Sequence, residues 1–130
     1  MTRLLIAEDN TSVAELYREE FETEGYAVEV VDNGASAIER AREWQPDIVV
    51  LDIGMPEMSG LEALSDLCAG GRTVIVNTAY PLFRKDFRAY LAKAWVTKSS
   101  DIEPLLEVVR QTLDGLRITD ECAALIQSAT

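Results

Sequence analysis

The sequence contains no histidine and only two cysteines among its 130 residues. Without histidine, Ser-His-Asp and Cys-His catalysis and histidine-ligated zinc sites are excluded. Cys68 and Cys122 show neither metal-ligand spacing nor a disulfide framework, so we expect two ordinary thiols. The chemistry open to this chain therefore belongs to carboxylates, hydroxyls and lysine.

Positively charged residues are scarce in the first half of the chain, where acidic residues outnumber them. Residues 1–65 carry 15 acidic and 4 basic side chains, whereas residues 66–130 carry 8 of each, which gives a formal net charge of -11. Such a chain repels nucleic-acid phosphates and anionic lipid surfaces. We therefore expect neither direct nucleic-acid binding nor membrane binding.

Long hydrophobic runs are also missing. No apolar run approaches the roughly 20 residues that span a bilayer, and the first residues pass into a short apolar run that resembles a strand more than a signal peptide. A hydrophobic content of 48% with 27% charged residues is typical of one globular domain. The cytoplasm is the expected compartment.

Short apolar runs alternate with longer amphipathic segments along the chain. Strands are predicted at 4–6, 28–31, 48–51, 74–76 and 95–97, and helices at 12–24, 35–44, after Ser59, 82–92 and 102–116, with a short terminal helix over 119–128 as an option. Ser12 with Glu15, and Ser59 with Glu62, form the pattern of a capping box. Five strands that alternate with five helices predict an α/β sandwich, with a parallel sheet covered on both faces.

Five polar residues follow or end the predicted strands: Glu8, Asp9, Asp52, Thr78 and Lys98. Ligands of parallel α/β sheets bind beyond the carboxyl ends of the strands, at the point where the strand order reverses. We therefore expect these five side chains to meet at one edge of the sheet.

Three carboxylates in one place repel each other unless a cation neutralises them. Mg²⁺ fits such a site best, because it takes oxygen ligands, keeps several waters and shares its shell with phosphoryl oxygens. The Lys98 ammonium and the Thr78 hydroxyl add two further groups that bind phosphoryl oxygens. Asp52 is the best placed carboxylate to act as the nucleophile.

Four segments carry a resemblance to a known family. They are LIAEDN (5–10), LDIGMPEMSG (51–60), NTA (77–79) and TKS (97–99). Together they resemble the receiver domain of two-component response regulators, over residues 3 to 116. The middle segment is the most specific, since an aspartate that ends an apolar strand before Met-Pro and Ser-Gly is rare by chance.

The resemblance implies a flavodoxin-like fold with strand order 2-1-3-4-5. It implies that Asp52 accepts a phosphoryl group from a sensor histidine kinase or a phosphotransfer protein. Asp9, Asp52 and the backbone carbonyl of Gly54 would hold Mg²⁺, and Glu8 would act mainly through the water shell of the metal. The chain would be a phosphoacceptor that assists only its own phosphotransfer and dephosphorylation.

Further roles follow from the same resemblance. Thr78 and Lys98 would bind the phosphoryl oxygens, and Thr78 with Trp95 would form the conformational switch. Ser99 stands where the family commonly has a proline after a cis peptide bond, so we expect a trans bond here. Tyr80 is either an exposed loop aromatic or a residue that restricts the water attacking the acyl phosphate.

The fourth predicted helix is basic and aromatic within an acidic chain. The family commonly signals through the face formed by helix four, strand five and helix five. Arg84, Lys85, Arg88 and Trp95 are therefore expected on a docking face for a downstream protein target or for a second copy of the chain. The alternative is a solvated helix face. The receiver domain is expected to span residues 1–116, with 117–130 as an extension or the start of a linker.

Two alternative functions stay open at this point. Glu8, Ser99 and Trp95 depart from the usual family residues, which favours a degenerate receiver that acts as a phosphorylation-independent scaffold. An aspartate-nucleophile phosphatase shares the carboxylate nucleophile, Mg²⁺ and the parallel sheet. Such enzymes typically place a second aspartate two residues after the nucleophile, and this chain has Gly54 there.

Overall fold

The computed structural model of the chain describes residues 1–55, 60–79 and 91–115. Several predictions lie outside the described residues: residues 82–90 of the predicted helix over 82–92, the option of a helix over 119–128, the capping box of Ser59, the extension 117–130, and the side chains of Tyr80, Arg84, Lys85, Arg88 and Cys122.

A five-stranded parallel sheet forms the centre of the domain. Its strands are β1 (Arg3–Ala7), β2 (Ala27–Val31), β3 (Ile48–Leu51), β4 (Val74–Thr78) and β5 (Ala94–Thr97). They are hydrogen-bonded in the order β2-β1-β3-β4-β5. The predicted fold class and strand order are therefore confirmed.

Helices cover both faces of the sheet. They are α1 (Thr11–Thr23), α2 (Gly34–Trp44), α3 (Gly60–Ala69) and the helix over residues 103–115. One core cluster joins the sheet to α2 and α3, and the other joins it to α1 and the helix over 103–115. Within the described residues no helix has the length and hydropathy needed to cross a bilayer.

Strand periodicity assigns each strand residue to one of the two core clusters. In β1, Leu4 and Ile6 pack on the side of α1, whereas Leu5 and Ala7 pack on the side of α2 and α3. Successive strand side chains point to opposite faces, so a residue's position in the strand fixes its side of the sheet. The same alternation decides where the polar residues at the strand ends point.

The amino terminus of α1 differs from the sequence prediction. The predicted capping box of Ser12 and Glu15 is wrong, because Asn10 is the N-cap residue and its Oδ1 accepts a hydrogen bond from the Val13 backbone N–H at 3.1 Å. Asn caps helices as well as Ser does, and here it stands two residues earlier in the chain. The predicted end of the helix is confirmed, with Gly25 in the left-handed region at φ +98°.

Candidate functional site

Three carboxylates converge at the carboxyl edge of the sheet. Glu8 follows β1 and is 2% exposed, Asp52 follows β3 and is 7% exposed, and Asp9 is exposed. Each offers a carboxylate oxygen, and these oxygens lie within 4.8 Å of one another. Oxygen ligands of this kind suit a hard divalent cation, so the donor set fits Mg²⁺.

Lys98 brings its ammonium group against two of these carboxylates. Its Nζ donates to Glu8 Oε1 at 2.5 Å and to Asp52 Oδ2 at 2.9 Å. The lysine follows β5, which is separated from β1 by two strands of the sheet. The expected convergence of Glu8, Asp9, Asp52 and Lys98 is therefore present in the structure.

The backbone fixes the two buried carboxylates in place. The Glu8 N–H donates to the Val31 carbonyl at 3.0 Å, and the Asp52 N–H donates to the Ala7 carbonyl at 3.1 Å. These bonds continue the parallel ladder just beyond the strand ends. The Gly54 N–H donates to Asp52 Oδ1 at 2.9 Å, so each carboxylate oxygen of Asp52 already accepts one hydrogen bond.

Burial and charge shift the ionisation of this group. Burial raises the pKa of Glu8 above the ordinary carboxyl range, against the opposing hydrogen bond and charge of Lys98. Burial also favours neutral Lys98, but the hydrogen bonds and charges of Asp52 and Glu8 prevail and raise the pKa of its ammonium. The site therefore keeps a positive charge next to Asp52 at neutral pH.

Thr78 and Trp95 lie on neighbouring strands. Thr78 is buried at the end of β4, and its carbonyl accepts a hydrogen bond from the Lys98 backbone N–H at 2.8 Å. Trp95 pairs with Val76 in the sheet and packs, partly buried, against the core cluster on the side of α2 and α3. The Lys98–Ser99 peptide bond is trans, as expected. The switch role of Thr78 and Trp95 stays a prediction.

The sequence prediction missed two residues next to this site. Asn77 Nδ2 donates to the hydroxyl of Tyr17 at 2.8 Å, and both side chains are buried. The sequence does carry a signal for Asn77, because it is a polar residue directly after the apolar run 74–76. The partner Tyr17 gave no signal, because an aromatic residue on the apolar stripe of a helix is an ordinary core residue.

Comparison with protein families and curated relatives gives a consistent result. A family model described as "Response regulator receiver domain" matches residues 4–110. The regulatory protein AtoC of Escherichia coli is 32% identical over 98% of this chain and 29% of its own length. The polar-differentiation response regulator DivK of Brucella anthropi is 30% identical over 85% of this chain and 94% of its own length.

Solved structures agree with the sequence relatives. The response regulator TrrA of Thermotoga maritima, crystallised in complex with Mg²⁺-BeF, has a TM-score of 0.81 and 34% identity over 85% of this chain and 98% of TrrA. TrrA was also crystallised with the histidine kinase ThkA; there the TM-score is 0.79 at 34% identity, over 85% of this chain and 97% of that chain.

The extent of the matches differs among the relatives. The chain spans only 29% of AtoC and 55% of a second relative named Probable transcriptional regulatory protein TcrX from Mycobacterium tuberculosis. It matches DivK along 94% of the length of that protein. Since the family match also covers most of the chain, this chain belongs to the response regulator receiver domain family.

Proposed function

We propose that Asp52 is the phosphoacceptor of this receiver domain and takes its phosphoryl group from the phosphohistidine of a sensor kinase or a phosphotransfer protein. The observation that carries the proposal is the grouping of Glu8, Asp9 and Asp52 with the Lys98 ammonium at one edge of the sheet. Family membership supports it, as does the complex of TrrA with a histidine kinase.

The transfer makes one bond and breaks one bond. A carboxylate oxygen of Asp52 attacks the phosphorus atom, the phosphorus–nitrogen bond of the phosphohistidine breaks, and the imidazole leaves with the bonding electron pair and then takes a proton from water. Negative charge on the transferring group is met by the Lys98 ammonium and the Thr78 hydroxyl. Lys98 is already at 2.9 Å from Asp52, so little rearrangement is needed to engage it.

The acidic side chains also fit a metal ion. Glu8, Asp9, Asp52 and the backbone carbonyl of Gly54 would hold Mg²⁺, with Glu8 acting mainly through water. When bound, the ion neutralises charge on the carboxylates and the phosphoryl oxygens. Glu8 and Asp52 are buried, so these two ligands are held in place before binding.

Phosphorylation is proposed to act through protein contacts. The face that includes Trp95, together with Arg84, Lys85 and Arg88, would change and bind a downstream protein or a second copy of the chain. The net charge of -11 argues against direct nucleic-acid or membrane binding. The proposed domain covers residues 1–116, with 117–130 as an extension or the start of a linker, and its proposed location is the cytoplasm.

One experiment tests the proposed phosphoacceptor. The protein is incubated with Mg²⁺ and a small acyl phosphate, and its intact mass is followed over time. Addition of one phosphoryl group that decays, that requires Mg²⁺ and that is absent from Asp52→Asn supports the proposal. Asp47→Asn, at the opposite edge of the sheet, is the matched control and should behave as the wild type.

The other outcomes assign the alternative functions. No mass addition in the wild-type protein would contradict the phosphoacceptor role and indicate the phosphorylation-independent scaffold. Steady consumption of the acyl phosphate far beyond one equivalent would indicate a phosphatase, if the phosphorylated protein is hydrolysed as fast as it forms.

A further inference from the structure

A second polar contact lies next to the acidic site, because Asp52 and Asn77 each follow a residue of the Leu51–Val76 pair on the adjacent strands β3 and β4. Tyr17 of α1 and Asn77 of β4 are 60 positions apart and are joined by a side-chain hydrogen bond of 2.8 Å. Tyr17 is 5% exposed and Asn77 is 3% exposed. Tyr17 belongs to the apolar core cluster on the α1 side of the sheet, so its hydroxyl is one of the polar groups buried on that side.

Strand alternation places Asn77 on the same face of the sheet as the site residues. Four polar residues each stand two positions after a buried residue of the same core cluster: Glu8 after Ile6, Asp52 after Val50, Asn77 after Ile75 and Lys98 after Val96. Helix α1 packs on this face of the sheet, and the Tyr17 hydroxyl of α1 accepts the hydrogen bond from Asn77 there. Burial raises the pKa of the Tyr17 hydroxyl, against the opposing hydrogen bond with Asn77, so Tyr17 is neutral in this position.

The hydrogen bond joins the two halves of the site. One half is the loop between β1 and α1, which carries Glu8 and Asp9. The other half consists of the ends of β4 and β5, where the Lys98 N–H is bonded to the Thr78 carbonyl. Tyr17 belongs to the helix that follows the first half, and Asn77 immediately precedes Thr78 in the second. A bond between them sets the spacing between the acidic residues and the groups that meet the phosphoryl oxygens.

We propose that Tyr17 and Asn77 are positioning residues that hold Lys98 and Thr78 in place for phosphoryl transfer. This inference rests on the proposed function of Asp52. Neither residue touches the reacting atoms in this account, and neither is a metal ligand. Their loss should therefore slow phosphoryl transfer and leave the binding of Mg²⁺ alone unchanged.

The test measures the rate of phosphoryl uptake from a small acyl phosphate by intact mass. It is run at saturating Mg²⁺ and at a temperature far below the thermal unfolding midpoint of every variant. Tyr17→Phe keeps the ring and removes the hydroxyl. We expect its rate to fall roughly tenfold, because small displacements of reacting groups are costly in rate. Its Mg²⁺ affinity, measured by calorimetry, should equal that of the wild type.

A matched control separates positioning from mere stability. Thr112 lies on the helix over 103–115, is buried, and donates a hydrogen bond to the Val108 carbonyl at 2.8 Å. Thr112→Val also removes one buried hydroxyl, but it does so away from the acidic site. It should lower the unfolding midpoint and leave the rate of phosphoryl uptake unchanged.

A double variant makes the separation sharper. Replacing both partners of a buried hydrogen bond by apolar groups of similar shape costs little stability. Tyr17→Phe combined with Asn77→Leu should therefore recover much of the stability lost in Tyr17→Phe, while phosphoryl uptake stays slow. In a Lys98→Met background, Tyr17→Phe should slow uptake by a smaller factor than in the wild type, because the part of its effect that acts through the lysine is already lost.

Other results would overturn the inference. Wild-type rates in Tyr17→Phe, or a recovered rate in the stable double variant, would show that the pair only stabilises the core. Loss of Mg²⁺ affinity in Tyr17→Phe would show that the pair arranges the carboxylates rather than Lys98. Absence of phosphoryl uptake in the wild-type protein would overturn the proposed function and this inference with it, and is distinct from a defect seen only in the variants.

Discussion

Lys98 and Arg40 hold carboxylates at the same pair of distances, in opposite surroundings. Lys98 lies 2.5 Å from Glu8 and 2.9 Å from Asp52. Arg40 lies 2.5 Å and 2.9 Å from the two carboxylate oxygens of Glu29. The side chains of Glu8, Asp52 and Lys98 are 2%, 9% and 22% exposed, whereas those of Arg40 and Glu29 are 35% and 34% exposed.

Because one group is buried and the other is exposed, the two groups contribute differently to the stability of the protein. An exposed ion pair gains little, because water and salt screen it. A buried ion pair loses hydration that its mutual attraction recovers only in part, and removing one partner leaves an uncompensated charge. At the carboxyl edge one ammonium faces two buried carboxylates and the nearby Asp9, so negative charge is in excess. Such a cluster is costly to keep, which agrees with the proposed binding of a cation and a phosphoryl group there.

The largest expected effect is the loss of stability when the positively charged side chain of the buried group, Lys98, is removed, compared with removal of Arg40 from the exposed pair. Lys98→Met should lower the free energy of unfolding by about 3 kcal/mol, because it leaves Glu8 and Asp52 buried without a counter-charge. Mg²⁺ should restore part of this loss, since it binds only the folded chain. Arg40→Met should change stability far less and show no Mg²⁺ dependence of its own. Urea unfolding with and without Mg²⁺ measures both.

An equal loss of unfolding free energy in Lys98→Met and Arg40→Met would contradict the claim that burial makes the two groups different. They would mean that water reaches Glu8 and Asp52 as freely as it reaches Glu29. A Lys98→Met loss that Mg²⁺ leaves untouched would instead argue against a metal site at these carboxylates.

Removing one carboxylate from each group should affect metal binding unequally. Glu8→Gln should weaken Mg²⁺ binding roughly tenfold, because ligand charge sets the affinity of such sites. Glu29→Gln removes the same charge from the surface pair and should leave the affinity unchanged. Isothermal titration with MgCl₂ alone gives both values. A similar loss in the two variants would show that only the net charge of the protein matters.

A smaller effect is expected in the loop that carries Glu8 and Asp9. Asn10→Ala should cost about 1 kcal/mol of stability, because the side chain caps α1. Ser12→Ala should cost much less, since Ser12 lies inside the helix and the N-cap is Asn10. Thermal unfolding of the two variants checks the order. The reverse order would restore the capping box predicted from the sequence.

The smallest effect is the pH dependence of the surface pair. The Arg40 hydrogen bond lowers the pKa of Glu29 below its ordinary value of 4.5. When folding lowers the pKa of a carboxyl, that carboxyl stabilises the protein at every pH above its unfolded-state pKa. This stabilisation is lost as the pH falls through the folded-state pKa. The stability difference between the wild type and Glu29→Gln should therefore be present at pH 7 and shrink below pH 4.5. Thermal unfolding across this range measures it; a difference that grows in acid would contradict the assignment.

Much of the fold and part of the site could be predicted from the sequence. The buried strands stood out as apolar runs, and the rule for parallel sheets brought Glu8, Asp52 and Lys98 to one edge, where the structure has them. Side-chain partners could not be predicted in the same way. The hydrogen bond between Tyr17 and Asn77 depends on how α1 packs on the sheet, and no short-range pattern encodes that packing.

The sequence also does not show which of two similar residues takes a local structural role. Asn10 and Ser12 are both good helix caps, and only the path of the loop after Asp9 decides between them. The hydrogen bond from the Gly54 N–H to Asp52 Oδ1 was not predicted, because the resemblance assigned a role only to the Gly54 carbonyl, as a metal ligand. The carbonyl of Gly54 as a metal ligand stays a prediction.

The central claim is that Asp52, in its buried group with Lys98 and Glu8, is the residue that takes the phosphoryl group. The most direct measurement is to phosphorylate the wild-type protein with Mg²⁺ and an acyl phosphate, reduce the product with borohydride, and locate the change by peptide mass spectrometry. Reduction of an aspartyl phosphate yields homoserine, so the account predicts homoserine at position 52 and an unchanged aspartate at position 9. Homoserine at any other aspartate, or at none, would contradict it.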